Sequence, residues 1–254
     1  MTLGRVQETW ENLAQTDPFW AILAEPEFKG NRWTVNDFFQ TGVAEIDGVM
    51  ATLATFGLPT RGLKALDFGC GAGRLTQPLA RHFEQVWGVD ISPTMIELAK
   101  RLDKIGDRGH FLVNPAPDLR IFEDGFFDMV YSRRTLMHIP RRLIPGYISE
   151  LLRVTSRSGV LVFHLPSGPK NRVVGLFPAA LIDPMFNLLR AVRYRLSRRG
   201  EAPWEMHWIS RTAVRRILIK DGGFIRNEVD VPSGGGALTG VVFYVTRPNG
   251  ASLS

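Results

Sequence analysis

The amino-acid sequence predicts an α/β fold with a mostly parallel sheet. Short apolar runs alternate with segments of helical period between residues 65 and 164, a pattern typical of βαβ units. A glycine-rich turn follows the first of these runs. The last two runs, 224–231 and 241–246, are separated by a glycine-rich loop and no helical segment. Because a short loop can join only antiparallel neighbours, we expect the sheet to end in an antiparallel strand.

The residues before the first strand are predicted to be helical. Apolar side chains cluster around Trp10 and Phe19, and a longer helix is predicted over 34–56, where they recur near the helical period. Gly57 and Pro59 are expected to end this helix, because glycine followed by proline is a common termination signal.

Seven strands and four helices are predicted in the remaining chain. The strands span 65–68, 86–89, 111–113, 127–131, 160–164, 224–231 and 241–246. The helices span 74–82, 143–154 and 212–221, and a further one begins at Ser92-Pro93, a favoured N-cap and first helical residue. In such sheets ligands bind beyond the carboxyl ends of the strands, near the topological switch point. Residues that directly follow a strand are therefore the candidates for a site.

We predict one structural domain in three parts. Residues 1–60 are expected to form an N-terminal helical lid, and residues 61–166 and 211–248 to form the core. Residues 167–210 are an insertion that carries an apolar stretch followed by arginines. We expect the insertion to form a helical cap.

The composition fits a folded protein of this size. Hydrophobic residues make up 44% of the 254 residues, enough for a substantial core. Neither a charged-then-apolar leader nor an apolar run long enough to cross a bilayer is recognisable, so a soluble, cytoplasmic protein is expected. Cys70 is the sole cysteine, which excludes an internal disulfide and a thiolate zinc cluster, and no metal is expected.

The most informative motif is an acidic, glycine-rich turn. Gly69, Gly71 and Gly73 stand at alternate positions after Asp67, and glycine is needed where the backbone turns sharply or approaches a ligand. A carboxylate at this place repels a diphosphate and attracts an ammonium group. The G-x-G-x-G spacing also differs from the G-x-G-x-x-G dinucleotide fingerprint. Both points favour S-adenosylmethionine as the ligand, with Asp67 holding its ammonium group directly or through water.

Further candidates for the methyl-donor site follow the next strands. Asp90 ends the second strand, where a carboxylate can accept both ribose hydroxyls. Ile91 is expected to pack against the adenine; Met95 is a candidate for its other face, although its helical position favours a core role. Asn114 either recognises the adenine amino edge or is a polar turn residue. Ser132 is expected near the methionine end of the donor.

A resemblance to the class I S-adenosylmethionine-dependent methyltransferase family is carried by ALDFGCGAGRLTQPLA, WGVDISPTMIELAK, FFDMVYSRRTLMHIP and LLRVTSRSGVLVFHLP. It covers roughly residues 64–166. The resemblance implies a Rossmann-like sheet of seven strands with the last strand antiparallel. The donor site that it implies comprises Asp67, Gly69, Gly71, Asp90, Asn114 and Ser132, to which we add Cys70 and Gly73 of the same loop. Residues 156–159 depart from the family's Lys-Pro-Gly-Gly pattern, which we interpret as a changed turn without effect on cofactor binding.

The methyl acceptor is expected to bind after the fourth strand and under the insertion. Transfer from a sulfonium needs mainly alignment and exclusion of water, and a base only if the acceptor must lose a proton. His138 is the first candidate base and His207 the second, because histidine titrates near neutral pH; local packing is the alternative role. Arg133 and Arg134 either bind an anionic group of the acceptor or face solvent. Further candidate contacts are Phe39 and Trp204.

These observations predict an S-adenosylmethionine-dependent methyltransferase that acts on an oxygen or nitrogen atom of a small molecule. Nucleic acid is not an expected partner, because no Asp/Asn-Pro-Pro-Tyr motif follows the fourth strand and no recognition module is present. One alternative is a lipid or quinone acceptor with membrane contact through 176–199, and another is a non-catalytic binding protein. Residues 133–220 hold 17 Lys or Arg and four acids, which either face an anionic partner or form a solvated surface. The sequence predicts neither the acceptor's identity nor the oligomeric state.

Overall fold

The computed structural model describes residues 2–169, 185, 187–189, 192, 204–233 and 238–247. Its N-terminal region is helical, as predicted, with α1 (Leu3–Thr16), α2 (Pro18–Ile22), a 3-10 turn at Pro26–Phe28 and α3 (Val35–Thr55). Thr34 is the N-cap of α3, where its hydroxyl accepts the backbone N–H of Asp37 and donates to the Asp37 carboxylate. This side-chain cap explains why the helix begins here.

The core is a sheet with helices on both faces. Its strands are β1 (Gly62–Phe68), β2 (Phe83–Asp90), β3 (Gly109–Val113), β4 (Phe127–Ser132), β5 (Thr155–Pro169), β6 (Phe224–Ser233) and β7 (Leu238–Thr246). Its helices are α4 (Thr76–Leu79), α5 (Pro93–Arg101), α6 (Ile144–Val154) and α7 (Arg211–Lys220), with 3-10 turns at Gly106–Arg108 and Leu136–His138.

The sheet has seven strands in the order β3-β2-β1-β4-β5-β7-β6. Strand β7 runs antiparallel to both β5 and β6, and the pairs from β3 to β5 are parallel. The predicted mixed sheet with an antiparallel last strand is therefore confirmed. The chain leaves β1 toward β2 and β3 and returns on the other side for β4. The switch point thus lies between β1 and β4, where the candidate site residues gather.

Apolar side chains cover the two faces of the sheet. On one face Val130 and Leu161 pack with residues of α6 and α7. On the other face Met129 and Tyr131 pack with residues of α3 and α4. This alternation follows from the two-residue period of a strand, and it directs the end of β4 toward α3 at Tyr131.

Two predicted elements differ from the structure. Helix α4 is much shorter than the predicted 74–82. Pro78 has no backbone N–H to donate within it, and beyond Leu79 the N–H groups of Ala80 and Arg81 reach back only three residues. Residues 156–159, interpreted as a turn, lie inside β5. Phe127 pairs with Thr155 and Met129 with Val160, so these four residues form an irregularity opposite Asp128.

The predicted cap insertion is described only in part. Strand β5 continues to Pro169, beyond the predicted start of the insertion at 167, and Gly168 pairs with Thr239 of β7. The described residues between 185 and 192 are helical, and residues 204–210 have no regular secondary structure. The remainder of the predicted cap lies outside the described residues.

Candidate functional site

The glycine-rich loop between β1 and α4 has the backbone conformation that its sequence predicts. Gly69, Gly71 and Gly73 have φ values of +80°, +51° and +80°, in the left-handed region. The backbone N–H groups of Gly69 and Cys70 donate to the carbonyl of Val89, at 2.7 and 3.1 Å. These bonds tie the loop to the end of β2.

The glycines also permit close packing by neighbouring side chains. A Cβ on Gly69 would lie 2.1 Å from Thr135 Oγ1, and a Cβ on Gly71 would lie 2.6 Å from Ile22 Cδ1. The loop is therefore bounded by the turn after β4 on one side and by α2 on the other. Space that the sequence suggested for a ligand at these two positions is thus partly filled by protein.

Asp67 is a buried carboxylate at the end of β1. Its exposed fraction is 1%, and the hydroxyl of Thr76 donates to it at 2.7 Å. Burial raises the pKa of Asp67 to about 7, against the opposing hydrogen bond from Thr76. A carboxyl group in this state is stabilised in its ionised form by an adjacent cation.

Asp90 caps the same loop from the end of β2. Its two carboxylate oxygens accept the backbone N–H groups of Gly71 at 2.9 Å and Ser92 at 3.0 Å. Burial raises the pKa of Asp90, although these backbone bonds oppose the shift. A carboxylate has about four acceptor positions, so two hydrogen bonds leave capacity for two hydroxyl donors.

Helix α1 lies against the segment that follows β2. The side-chain amide of Gln7 donates to the carbonyl of Ile91 at 3.1 Å, and the hydroxyl of Ser92 donates to Glu11 at 2.6 Å. Glu11 also accepts the backbone N–H of Thr94. These bonds hold α1 over the position predicted for the donor's ribose.

The remaining donor-site candidates have mixed surroundings. Met95 is 2% exposed and packs with Leu13 and Ala21, which supports a core role, whereas Ile91 is half-buried. The amide of Asn114 donates to the carbonyl of Asp118 at 2.7 Å and accepts the N–H of Ala116, as a turn residue does.

Two hydroxyl groups join the ends of β1 and β4. Ser132 and Thr135 both donate to the carbonyl of Phe68, each at 3.1 Å. Ser132 is fully buried. The predicted methionine end of the donor site is thus built on a fixed contact between these two strands.

His138 lies in the 3-10 turn after β4, among aromatic side chains. Its Nδ1 lies 3.0 Å from the carbonyl of Glu205, and since a carbonyl can only accept, Nδ1 carries the proton. The ring centroid is 5.0 Å from that of Trp10 and 6.1 Å from that of Trp204. These contacts fix the ring's position and tautomer.

The segment before α7 covers this turn. The backbone N–H of His207 donates to the carbonyl of Met137 at 2.7 Å, and its Nε2 lies 3.4 Å from the Glu205 carboxylate. Trp204 packs against Trp10 and Trp20 of the N-terminal helices, with centroids 5.8 and 5.6 Å apart. The two candidate bases, His138 and His207, are therefore brought into one region with Trp204.

The other predicted acceptor contacts, Arg133, Arg134 and Phe39, each have different surroundings. Arg133 Nε lies 3.8 Å from the Glu45 carboxylate, so this guanidinium has a protein counter-ion. Arg134 is exposed and has a left-handed φ of +60°. Phe39 packs against Phe38 within the cluster of the N-terminal helices.

A comparison with known protein families identifies the segment that contains these site residues. Residues 66–163 match a family described as a methyltransferase domain. Residues 66–163 thus carry a methyltransferase domain. Its matched segment runs from β1 to β5 and contains the acidic loop, Asp90 and His138. The resemblance inferred from the sequence is thereby confirmed.

Curated relatives of this methyltransferase domain include methyltransferases named for a hydroquinone and for ubiquinone biosynthesis. The 2-methyl-6-phytyl-1,4-hydroquinone methyltransferase of Synechocystis sp. is 30% identical over 164 residues, which are 63% of this chain and 50% of that protein. A ubiquinone biosynthesis O-methyltransferase of Xanthomonas euvesicatoria is 31% identical over 112 residues, 43% of this chain and 46% of that protein. The chain thus spans about half the length of these relatives.

Solved structures of similar fold cover nearly the whole chain. Magnesium protoporphyrin IX methyltransferase from Synechocystis PCC 6803, with bound SAH, has a TM-score of 0.63 at 22% identity, covering 96% of this chain and 99% of that chain. A SAM-dependent methyltransferase from Leishmania major has a TM-score of 0.64 at 14% identity, covering 96% and 82%.

Neither a possible membrane-spanning helix nor a metal site is found in the part of the chain that the structure describes. No helix there is both long and apolar enough to cross a membrane. Within the same residues, no group of three His, Cys, Asp or Glu side chains is placed to hold a metal ion.

Sequence reasoning missed two polar residues beside the site. Glu45 of α3 accepts hydrogen bonds from Arg74 at 2.7 Å and from the Tyr131 hydroxyl at 2.9 Å. His164 of β5 is a second, with 4% exposure. The signals available were an acid on the apolar side of a long helix and a histidine within an apolar strand. Neither signal indicates which residue the side chain contacts, because the contacting residues are remote in sequence.

Proposed function

We propose that this chain is an S-adenosylmethionine-dependent methyltransferase that acts on a small molecule. The observation that carries the proposal is the meeting of Asp67 and Asp90 at the glycine loop of a methyltransferase domain. Burial raises the pKa of both carboxyl groups. A ligand with a cation and hydroxyl donors would stabilise their ionised forms. The ammonium group and ribose hydroxyls of S-adenosylmethionine meet both requirements.

Each element of the donor site has a role in this proposal. Asp67 binds the ammonium group, and Asp90 accepts the ribose hydroxyls while it keeps the loop in shape. When bound, the cofactor supplies a methyl group on a sulfonium, ready for in-line displacement. Helix α1 bonds through Glu11 to the segment after β2, and Ile22 of α2 lies against the glycine loop. In this proposal the two helices exclude water and hold the reactants in line.

The acceptor side supports methylation of a hydroxyl group. His138 keeps its proton on Nδ1 through the Glu205 carbonyl, which makes Nε2 the atom that accepts a proton from the acceptor. Trp10 and Trp204 keep the imidazole in one orientation. A positioned histidine commonly contributes a factor of about 100 to 10,000 to such a step.

Transfer of a labelled methyl group tests this proposal. Native protein should methylate a short-tailed prenyl hydroquinone with S-adenosylmethionine as donor, and His138→Gln should reduce kcat at least about 100-fold without changing the affinity for S-adenosylhomocysteine. His110→Gln is the matched control, because His110 lies on β3 and bonds to Gln85. Donor binding without transfer to any of a panel of hydroxyl and amine acceptors would instead support a non-catalytic binding protein.

A lipid-soluble acceptor is favoured by an exposed apolar helix face. Its members, Met185, Leu188, Leu189 and Val192, are 52, 64, 61 and 44% exposed. Their spacing places them on one side of a helix. On the same helix, the amide of Asn187 bonds to both backbone groups of Met206, at 3.1 and 3.0 Å, and anchors the helix to the chain.

The amino-acid sequence around these four residues is strongly basic. Arginines stand at positions 190, 193, 195, 198 and 199, and an apolar helix face with nearby basic residues is typical of binding to anionic membrane surfaces. The names of the relatives refer to a phytyl hydroquinone and to ubiquinone. We therefore propose a long-tailed quinol as acceptor, taken up at a membrane surface through residues 176–199.

Vesicle sedimentation tests the membrane contact. Vesicles of phosphatidylcholine and phosphatidylglycerol should pull down the native protein, and the double variant Leu188→Asp/Leu189→Asp should stay in the supernatant. Ile219→Asp is the matched control, because Ile219 is an apolar residue of α7 with 68% exposure. Equal sedimentation of the double variant and the control would contradict the contact.

A further inference from the structure

Two polar side chains next to the proposed acceptor site are buried without a hydrogen-bond partner among the described residues. His164 is 4% exposed and Ser233 is 6% exposed. Both ring nitrogens of His164 and the hydroxyl of Ser233 lack a partner. A buried polar group without a partner destabilises a fold by about 1–3 kcal/mol, so each such group in a native protein requires a specific explanation, such as a catalytic role or an ordered water or ion.

The two side chains lie on one face of the sheet, at its ligand-binding edge. His164 pairs with Val242 and Ser233 with Leu238, while Gly240 lies between these positions on β7. Residues two apart on a strand share a face, so His164, Gly240 and Ser233 lie on the α3 side. His164 is one residue beyond Phe163, the partner of Ser132 at the end of β4.

Gly240 allows the two side chains to lie directly over the backbone of β7. A Cβ at this position would lie 2.5 Å from His164 Nε2 and 3.0 Å from Ser233 Cβ. Any residue other than glycine would therefore clash with the imidazole. Because residue 240 has no side chain, the imidazole of His164 and the side chain of Ser233 approach each other over its backbone.

The imidazole is uncharged at neutral pH. Burial, followed by the neighbouring Arg133 and Arg134, lowers the pKa of His164 to about 3, against the opposing effect of Glu45. A neutral imidazole has one N–H donor and one lone-pair acceptor, and a serine hydroxyl both donates and accepts. The pair is therefore matched to an uncharged group that also donates and accepts, namely a hydroxyl.

We propose that His164 and Ser233 form the polar end of the acceptor pocket and bind a neutral hydroxyl group of the acceptor. This inference rests on the proposed function and specifies its substrate as an uncharged alcohol or phenol. His164 and Ser233 are specificity-determining residues here, and proton removal stays with His138. A quinol has two hydroxyl groups, so one can be held by this pair while the other faces the donor.

Nitrogen NMR of the histidine rings tests the pair directly. In protein saturated with S-adenosylhomocysteine, titration with 1,4-hydroquinone should shift the His164 ring signals saturably and leave those of His110 unchanged. Ser233→Ala should weaken hydroquinone binding about 3- to 10-fold, the usual effect of one hydrogen bond. The matched probe 1,4-dimethoxybenzene, which has no hydroxyl donor, should bind the native protein more weakly by a similar factor.

Two results would overturn the inference. One is an unchanged His164 signal at the highest soluble hydroquinone concentration. The other is a melting temperature that falls in Ser233→Ala, because an unpaired hydroxyl can be removed without loss whereas a structural hydrogen bond cannot. Calorimetry with S-adenosylhomocysteine separates the two proposals. If the native protein does not bind it, the proposed function fails as well; if it binds and His164 does not respond, only this inference fails.

Discussion

Glu45 and Arg74 form a buried ion pair that joins α3 to the residue after the glycine loop. Their closest oxygen and nitrogen atoms are 2.7 Å apart, and Arg74 has 3% of its side chain exposed. Glu45 also accepts the hydroxyl of Tyr131 and lies near Arg133. One carboxylate thus connects an N-terminal helix, the loop and the end of β4, so the shape of the donor site depends on it.

Removal of this carboxylate should destabilise the fold. Glu45→Ala leaves Arg74 buried without its counter-ion, and we expect the free energy of unfolding to fall by about 3–5 kcal/mol in urea denaturation. Asp47→Ala is the matched control on the same helix, because its pair with Arg81 is 3.7 Å long and more than half exposed. The control should change stability by less than about 1 kcal/mol. Equal losses in the two variants would show that the buried pair has no special role.

A second prediction concerns the glycine loop. Gly69→Ala should lower stability by more than the roughly 1–2 kcal/mol of a left-handed alanine, because its Cβ would also lie 2.1 Å from Thr135 Oγ1. Gly48→Ala is the control: it lies within α3 and a Cβ there meets nothing within 4 Å. That variant should gain about 0.5–1 kcal/mol. Thermal unfolding of both variants would measure the contrast, and a Gly69→Ala protein as stable as the native one would contradict the loop geometry.

The pKa of Asp67 predicts how donor binding depends on pH. In the free protein burial raises the pKa of Asp67 to about 7, so the group is mostly protonated at pH 6. An ammonium group beside it favours the ionised form, and binding therefore releases a proton. The affinity for S-adenosylhomocysteine should rise up to about tenfold between pH 5.5 and 6.5. Calorimetry in two buffers of different ionisation enthalpy would measure the number of protons released on binding.

Asp67→Asn supplies the control for this titration. Its affinity should be lower and nearly independent of pH over the same range. The raised pKa also stabilises the free fold below the usual pKa of an aspartate, and this stability is lost as pH rises through about 7. At pH 8 the free Asp67→Asn protein should therefore unfold at a higher temperature than the native one. A flat affinity profile in the native protein would contradict the role of Asp67.

The parts of the site that the sequence predicted are those set by local chemistry. The mostly parallel sheet follows from the alternation of strands and helices, and the positive φ values of the loop follow from glycine spacing. Asp90 was predicted at a strand end, and its bonds to the loop place it there. Such features depend on a few neighbouring residues, which is why a single sequence shows them.

The parts that escaped prediction depend on contacts between remote segments. Glu45 meets Arg74 and Tyr131 only after α3 packs on the sheet, and His164 reaches the backbone of Gly240 only after β5 pairs with β7. Helix α4 was overestimated where Pro78 lacks an N–H and the bonds beyond Leu79 reach back only three residues. Asn114 bonds within its own turn, and its contact with adenine stays a prediction.

Titration calorimetry with S-adenosylmethionine on native protein and on Asp90→Ala and Asp90→Asn tests the central proposal most directly. Each variant would lose the two charge-assisted hydrogen bonds from the ribose hydroxyls to Asp90, and such a bond commonly contributes about 1.5–3 kcal/mol. The affinity for S-adenosylmethionine should therefore fall at least about 100-fold. Circular dichroism should show that both variants are folded. Asp107→Asn, on an exposed turn before β3, should bind like the native protein. Unchanged affinity in the folded Asp90 variants would contradict the assignment of this loop as the donor site.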